Sequence, residues 1–378
     1  TGCLAERYGA ELKREMPEVD AFVGTGDFLR LPEILCASVP PESGPVAYVG
    51  AQHVLPNHTT PRILTGQSHS AYLKVSEGCN HRCAFCIIPK IRGRHESRPL
   101  DDLVAEATSL AAGGVRELNL IAQDLTAYGR DLPERSTLAA LLPALARVDG
   151  IEWIRLLYCY PNYVTGELLD TITAEPKVCR YIDMPLQHGS DRMLRAMRRE
   201  RSADSLRRLV AQVRARIPDV TLRTSFIVGF PGETEKDFGD LCRFVSELEF
   251  ERIGVFRYSR EENTEAGDLP GQVPERVKQE RFERLMQLAR EIAIRTNAAW
   301  VGRVVPVLGC GEDDDGRTIG RTVAQAPEID GVVFVDRGLE TGDLAPVRIT
   351  DSTDYDLVGE TVRVAAGLSR VDSTILRP

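Results

Sequence analysis

Between Ala71 and Phe256 the chain repeats one pattern about six times: a short apolar run, a turn, then a longer run with helical spacing. That alternation admits few folds. Strands joined through helices lie parallel, and a parallel sheet needs helices over its faces. The spacing predicts strands over Tyr72–Ser76, Val115–Ala122, Trp153–Leu157, Tyr181–Met184, Thr221–Gly229 and Arg252–Phe256. Helices are expected over Leu100–Ala112, Leu138–Val148, Gly166–Thr173, Ser202–Arg216 and Glu233–Leu248. Ser97 offers an N-cap to the first helix, Pro99 suits its first turn, and Gly113 with Gly114 stops it. About six units are too few for the usual closed eight-fold barrel. The expected architecture is therefore α/β, with an open, partial (βα)6 barrel. Active sites in such sheets gather at the carboxyl ends of the strands.

The flanks follow other patterns. Residues 1–66 read as a remnant α/β unit: a helix over Ala5–Glu15, a strand over Ala21–Gly24, a helix over Phe28–Cys36, and a linker rich in Pro and Gly over Val39–Gln67. The barrel-like core is placed at 67–296 and ends in a long charged helix, Pro274–Asn297. Val301–Val307, Arg317–Val323, Val332–Val335, Ala345–Thr350 and Leu357–Arg363 then read as five short strands of a small β-barrel within 297–366, followed by a tail over 367–378.

Nine cysteines, an odd number without a secretory signal, do not read as a disulfide framework; reduced thiols in the cytoplasm and a metal site fit better. No apolar run approaches the ~18 residues of a membrane span, so no membrane partner is expected. The chain opens at Thr1-Gly2-Cys3 as if an upstream piece had been removed.

Six cysteines are scattered, and three are not. Cys79, Cys83 and Cys86 lie on one loop after the first core strand, spaced C-x3-C-x2-C. Three thiolates on a tight loop can hold three corners of a four-iron cluster, leaving one iron open, as a catalytic metal requires. A structural zinc would need a fourth donor; His81 is in the loop, but no second Cys or His pair stands at zinc-finger distance.

The loop Glu77–Pro89, with Arg92-Gly93 and Ser97-Arg98-Pro99 after it, resembles radical S-adenosylmethionine (SAM) enzymes of the methylthiotransferase family. The resemblance implies that Cys79, Cys83 and Cys86 carry a catalytic 4Fe–4S cluster whose open iron binds SAM. It also implies that an electron cleaves the sulfonium to a deoxyadenosyl radical, with a donor such as flavodoxin. Gln123, past an apolar strand, would lie near SAM; an ordinary strand-end turn is the other reading. The string from Ser225 to Thr234 looks like the family's adenine-contacting strand, which makes Ser225, Ile227, Gly229 and Glu233 cofactor-binding candidates. His188 reads either as a proton carrier or as a turn histidine. Arg195, Arg198, Arg199 and Arg201 read as a solvated helix face.

Gly2-Cys3-Leu4-Ala5 resembles the third cysteine segment of the family's N-terminal domain, which holds a second 4Fe–4S cluster linked to sulfur delivery. Cys3 alone cannot hold it. The expectation is a chain that cleaves SAM without completing methylthiolation.

The five-strand segment resembles the family's TRAM domain, which helps hold tRNA in relatives that modify tRNA. Between Asn297 and Ala366 stand thirteen Asp and Glu against six Arg and no Lys, a balance of −7. That surface repels phosphates and attracts basic proteins, unless it serves solubility alone. Ala326–Gly331 and Asp354–Leu357 are similar to the branch that methylthiolates the β-carbon of an aspartate in ribosomal protein uS12, a basic small-subunit protein. Two other readings are a tRNA methylthiotransferase acting on a modified adenosine, and a non-catalytic iron–sulfur protein that binds ribosomes.

Overall fold

The computed structural model describes residues 1–37, 44–50, 55–134, 136–336 and 338–362. The expected tail, Arg337, Arg363 and parts of the expected linker lie outside the described residues. The N-terminal part runs α1 (Cys3–Glu15), β1 (Ala21–Val23), α2 (Leu31–Cys36) and β2 (Val46–Tyr48). β1 and β2 pair in parallel, with Ala21 opposite Val46, so the stretch read as a linker contains a strand. A 3-10 turn over Phe28–Arg30 precedes α2 where one continuous helix was expected. Pro32 lies in the first turn of α2, and its missing N–H could not have continued a helix begun at Phe28.

The central part runs β3 (Ser70–Lys74), β4 (Ser76–Glu77), α3 (Ile88–Arg92), β5 (Glu96–Ser97), α4 (Leu100–Ala112), β6 (Glu117–Ile121), α5 (Leu138–Ala146), β7 (Trp153–Leu156), α6 (Gly166–Ala174), β8 (Val178–Asp183), α7 (Asp191–Ala196), α8 (Ala203–Arg216), β9 (Thr221–Val228), α9 (Glu235–Leu248), β10 (Arg252–Arg257), α10 (Glu265–Asp268) and α11 (Glu275–Ala298). Six strands form one open parallel sheet in the order β10-β9-β8-β7-β6-β3, each new strand added beside the last. The outward strand residues Leu73, Leu118, Leu120, Ile154, Ile182 and Phe226 share one apolar core with the helix stripes, among them Leu103, Leu142, Leu169, Val210 and Leu241. Side-chain caps set the helix starts: Thr137, Thr165 and Ser202 each accept a backbone N–H, and Thr234 forms a capping box with Asp237. Ser97 does not cap α4. Pro99 holds the N-cap position, and Ser97 is spent on β5, with its N–H and hydroxyl given to Asp131 at 2.8 and 2.6 Å.

The C-terminal part, β11 (Val304–Glu312), β12 (Thr318–Arg321), β13 (Val333–Val335), β14 (Leu344–Ser352) and β15 (Leu357–Thr361), closes into a barrel in the order β11-β12-β13-β15-β14. Val307, Val333, Val347, Ile349 and Leu357 fill it. Its β12–β13 connection packs on the large sheet: Val323 and Ala326 meet Trp153, Leu157, Cys179 and Tyr181. A wholly buried charge cluster joins the same surfaces. Glu117 on β6 receives Arg155 at 3.0 Å and Arg321 of the barrel at 2.5 Å, and Arg155 also donates to the Val323 carbonyl at 2.6 Å. Burial pushes the Glu117 carboxyl up, but the two guanidiniums overcome it and hold the group at about 2. Among the described residues, no helix is long and apolar enough to cross a membrane.

Candidate cluster loop and cofactor rim

The cysteine loop springs from the carboxyl end of β3. Ser76 and Glu77 of β4 pair antiparallel with Glu96 and Ser97 of β5, and this two-residue ribbon pins both ends of the loop. Gly78 opens it at φ 75°, and any Cβ there would run into the carbonyl oxygens of Arg94 and Arg92. The Cys79 N–H bonds to the Gly93 carbonyl at 3.2 Å, and the Cys86 N–H to that of Cys83 at 3.1 Å. Farther along, the Ala84 N–H reaches the Met197 carbonyl and the Ala266 N–H reaches the Ala84 carbonyl, which fixes the loop to the segment after α7 and to α10. Gly78→Ala is therefore expected to cost the loop its shape: reconstituted protein should bind iron poorly while its far-UV circular dichroism stays unchanged.

All three thiols are free, Cys79 buried and Cys83 and Cys86 half-buried. Burial pushes the Cys79 thiol up to about 11 against the help of the His81 N–H, and Asp124 and the other two cysteines push the same way. Burial raises Cys86 as well. Thiols so placed ionise only with a cationic group among them, which a metal cluster provides. His81 does not serve as a fourth donor here: its Nε2 is 2.6 Å from Asp124 Oδ2, and its ring stacks on Tyr160 at 3.6 Å. Among the described residues, no three His, Cys, Asp or Glu side chains converge on a point suited to one metal ion. The donor set thus fits a cubane, whose thiolates sit on separate irons, better than a mononuclear zinc site.

The other sequence candidates spread along the same rim. Gln123 directly follows β6 and Ala122; its Oε1 is buried without a hydrogen-bond partner among the described residues. Ser225 and Ile227, half-buried on β9, alternate with the core residues Phe226 and Val228 and so share the face away from the helices. The Gln187 backbone bridges beside them, its N–H to the Ser225 carbonyl and its carbonyl to the Ile227 N–H, both 2.9 Å. Gly229 turns at φ 75°, and its N–H donates to Glu233 Oε2 at 2.8 Å. Glu233 is itself buried and paired with Arg281 at 2.9 Å, so it shapes the turn. His188 is a turn histidine, fully buried, whose Nδ1 accepts the Ser190 N–H at 2.9 Å.

Cys3 starts α1 on the near side of this loop. Its Sγ lies 3.2 Å from Arg92 Nη2, and Arg92 Nη1 reaches Glu77 at 2.8 Å. Of the arginine run, Arg195 and Arg198 are exposed as expected, and Arg199 departs from the solvated face. α7 ends at Ala196, Arg198 reverses the chain at φ 57°, and Arg199 turns inward, its Nη1 3.5 Å from Cys83 Sγ. No sequence signal separated Arg199 from its neighbours. Tyr158, also missed, follows β7 at φ 64° and is half-exposed. Its N–H reaches Asp183 at 3.3 Å and its carbonyl accepts from Leu125, bonds between strands that sequence spacing does not reveal.

Residues 73–245 match the Radical SAM superfamily, and residues 301–362 match the TRAM domain. The chain is 49% identical over 366 residues to the ribosomal protein uS12 methylthiotransferase RimO of Geobacter sulfurreducens, spanning 96% of this chain and 81% of that protein. It is 51% identical over 365 residues to the enzyme of the same name from Anaeromyxobacter sp. (strain Fw109-5), spanning 96% of this chain and 77% of that protein. Such identity across nearly the whole chain, together with a cysteine loop at the strand ends of a parallel sheet and a closed five-strand barrel behind it, places the chain in the RimO family of radical SAM methylthiotransferases.

Proposed function

We propose that this chain belongs to an enzyme that adds a methylthio group to the β-carbon of an aspartate in ribosomal protein uS12, in the cytoplasm, and that the chain itself performs the cleavage of SAM. The observation that carries the reading is the loop: three reduced thiols at the rim of the sheet with, among the described residues, no fourth protein donor. Cys79, Cys83 and Cys86 are the proposed ligands of the 4Fe–4S cluster. When bound, the cluster and SAM supply the electron and the deoxyadenosyl radical characteristic of the superfamily. The protein's share is placement and exclusion of water. Gln123 offers its unpartnered oxygen to a donor on SAM. Ser225, Ile227 and the Gly229 turn provide the adenine side, with Glu233 and Arg281 holding that turn in shape. Cys3 is the proposed ligand of the family's second 4Fe–4S cluster. The work is divided among the core at 67–296, the TRAM barrel at 297–366 and the N-terminal unit at 1–66.

The choice of a basic protein over tRNA rests on charge. The barrel segment is net acidic, and one of its few cations, Arg321, is buried against Glu117 and unavailable to a partner. Binding is expected to follow: measurable affinity for uS12, weakening as salt rises, and little for tRNA. Filter binding or fluorescence anisotropy with both ligands checks this; salt-sensitive tRNA binding with none to uS12 would replace the reading by its competitor. Anaerobic reconstitution with dithionite and SAM tests the chemistry. A fully loaded protein that forms no deoxyadenosine would leave a non-catalytic iron–sulfur protein.

A further inference from the structure

Arg199 is a buried cation whose counter-charge is not a carboxylate. It is 9% exposed. Its Nη1 lies 3.5 Å from Cys83 Sγ, its Nη2 donates to the Pro185 carbonyl at 3.0 Å, and its guanidinium lies 4.2 Å over the Tyr160 ring. The backbone brings this residue inward: after the reversal at Arg198, the Arg199 N–H closes on the Leu194 carbonyl at 2.7 Å. The other buried arginines are satisfied differently. Arg98 pairs with Asp102 and Glu106, Arg155 and Arg321 with Glu117, and Arg281 with Glu233. Arg252 binds neutral oxygens, those of Glu251 and Asn297. Among the buried arginines of the described residues, Arg199 is the one whose guanidinium lies beside a sulfur of the cysteine loop, as the half-buried Arg92 lies beside Cys3. A buried guanidinium is stabilised by negative charge beside it, which a cluster thiolate at Cys83 would provide.

We propose that Arg199 is a positioning residue that tunes the reduction of the cluster on Cys79, Cys83 and Cys86, an inference that rests on the cluster reading above. Reduction adds one electron from an external low-potential donor and makes and breaks no bond. The added negative charge is attracted by a fixed cation at the Cys83 ligand, in a low-dielectric setting where that attraction is strong. A hydrogen bond to a ligand sulfur acts in the same direction. Arg199 therefore favours the reduced cluster, and Tyr160, clamped between Arg199 and His81, keeps the guanidinium over the loop.

The test is a dithionite titration of the anaerobically reconstituted chain with mediator dyes, read by the electron paramagnetic resonance of the reduced cluster, with iron and sulfide assayed in each sample. At the wild-type midpoint, Arg199→Gln is expected to lower the ratio of reduced to oxidised cluster about tenfold, which is about 59 mV for a one-electron couple. Arg199→Lys keeps the charge and is expected to fall between the two. Arg201→Gln, which loses only a bond to Asn162, is expected to match wild type. An Arg199→Gln protein with full iron and an unchanged midpoint overturns the proposal, as does an equal shift in Arg201→Gln. Should Arg199→Gln take up no iron, Arg199→Lys decides, and a tenfold drop there is equally fatal. A wild-type chain that binds no iron fails at the assay stage, which marks failure of the cluster reading rather than of the role of Arg199.

Discussion

Cys79→Ala is expected to yield a folded protein that takes up little iron at this loop and forms deoxyadenosine only at background. Cys79 is the most enclosed of the three thiols and the one next to the Gly78 turn. Its backbone N–H, not its side chain, ties the loop to Gly93, so alanine keeps that tether. The lost packing is a single sulfur atom, and the thermal transition should shift little. Two remaining thiolates cannot retain a cubane, and the reaction is lost with it. Iron and sulfide analysis, with deoxyadenosine measured by chromatography, checks the result. Wild-type iron content and turnover in Cys79→Ala would sink the assignment of the loop. Cys310→Ala, in a buried thiol of the small barrel, is the matched control and should keep both.

The largest stability loss is expected from Glu117→Gln. One carboxylate serves two buried guanidiniums, Arg155 from the sheet and Arg321 from the barrel. Removing its charge leaves both cations uncompensated, at a cost of roughly 3–5 kcal/mol. Denaturant titration should show a lower midpoint, with earlier proteolysis at the β12–β13 connection. The pH dependence has a defined sign. The folded pKa, about 2, is below the ordinary value of 4.5. The contribution of Glu117 is therefore fully present above about 4.5 and is lost as pH falls toward 2. Glu117→Gln should accordingly lose stability at neutral pH and show a shallower further loss within that acid window. Equal slopes in the two proteins would refute the role of the charge.

The parts of the fold legible in sequence were those governed by near neighbours. Strand–helix alternation, the Ser202 cap and the five short C-terminal strands follow from periodicity and turn residues, and the structure has each of them. The cysteine spacing was equally local. What escaped was decided by distant partners. Strand β2 exists because β1 is there to pair with it. Ser97 looks like a cap until Ser76 and Asp131 engage it. Arg199 is indistinguishable from Arg195 or Arg201 until one residue, Arg198, reverses the chain. Glu233, a cofactor-binding candidate by resemblance, also has its carboxylate paired with Arg281, forty-eight positions away, a bond that spacing does not reveal.

The β12–β13 connection has a consequence for modular engineering. Because Val323 and Ala326 cover Trp153 and Tyr181, and Arg321 neutralises a carboxylate of the sheet, this appendage serves as masonry for the catalytic half. A truncation at the end of α11 would strip the sheet's inner surface, expose the buried Glu117–Arg155 pair to water, and open a route for solvent toward radical chemistry. Swapping in a TRAM unit from a tRNA-directed relative would therefore require transplanting the underlying sheet residues with it.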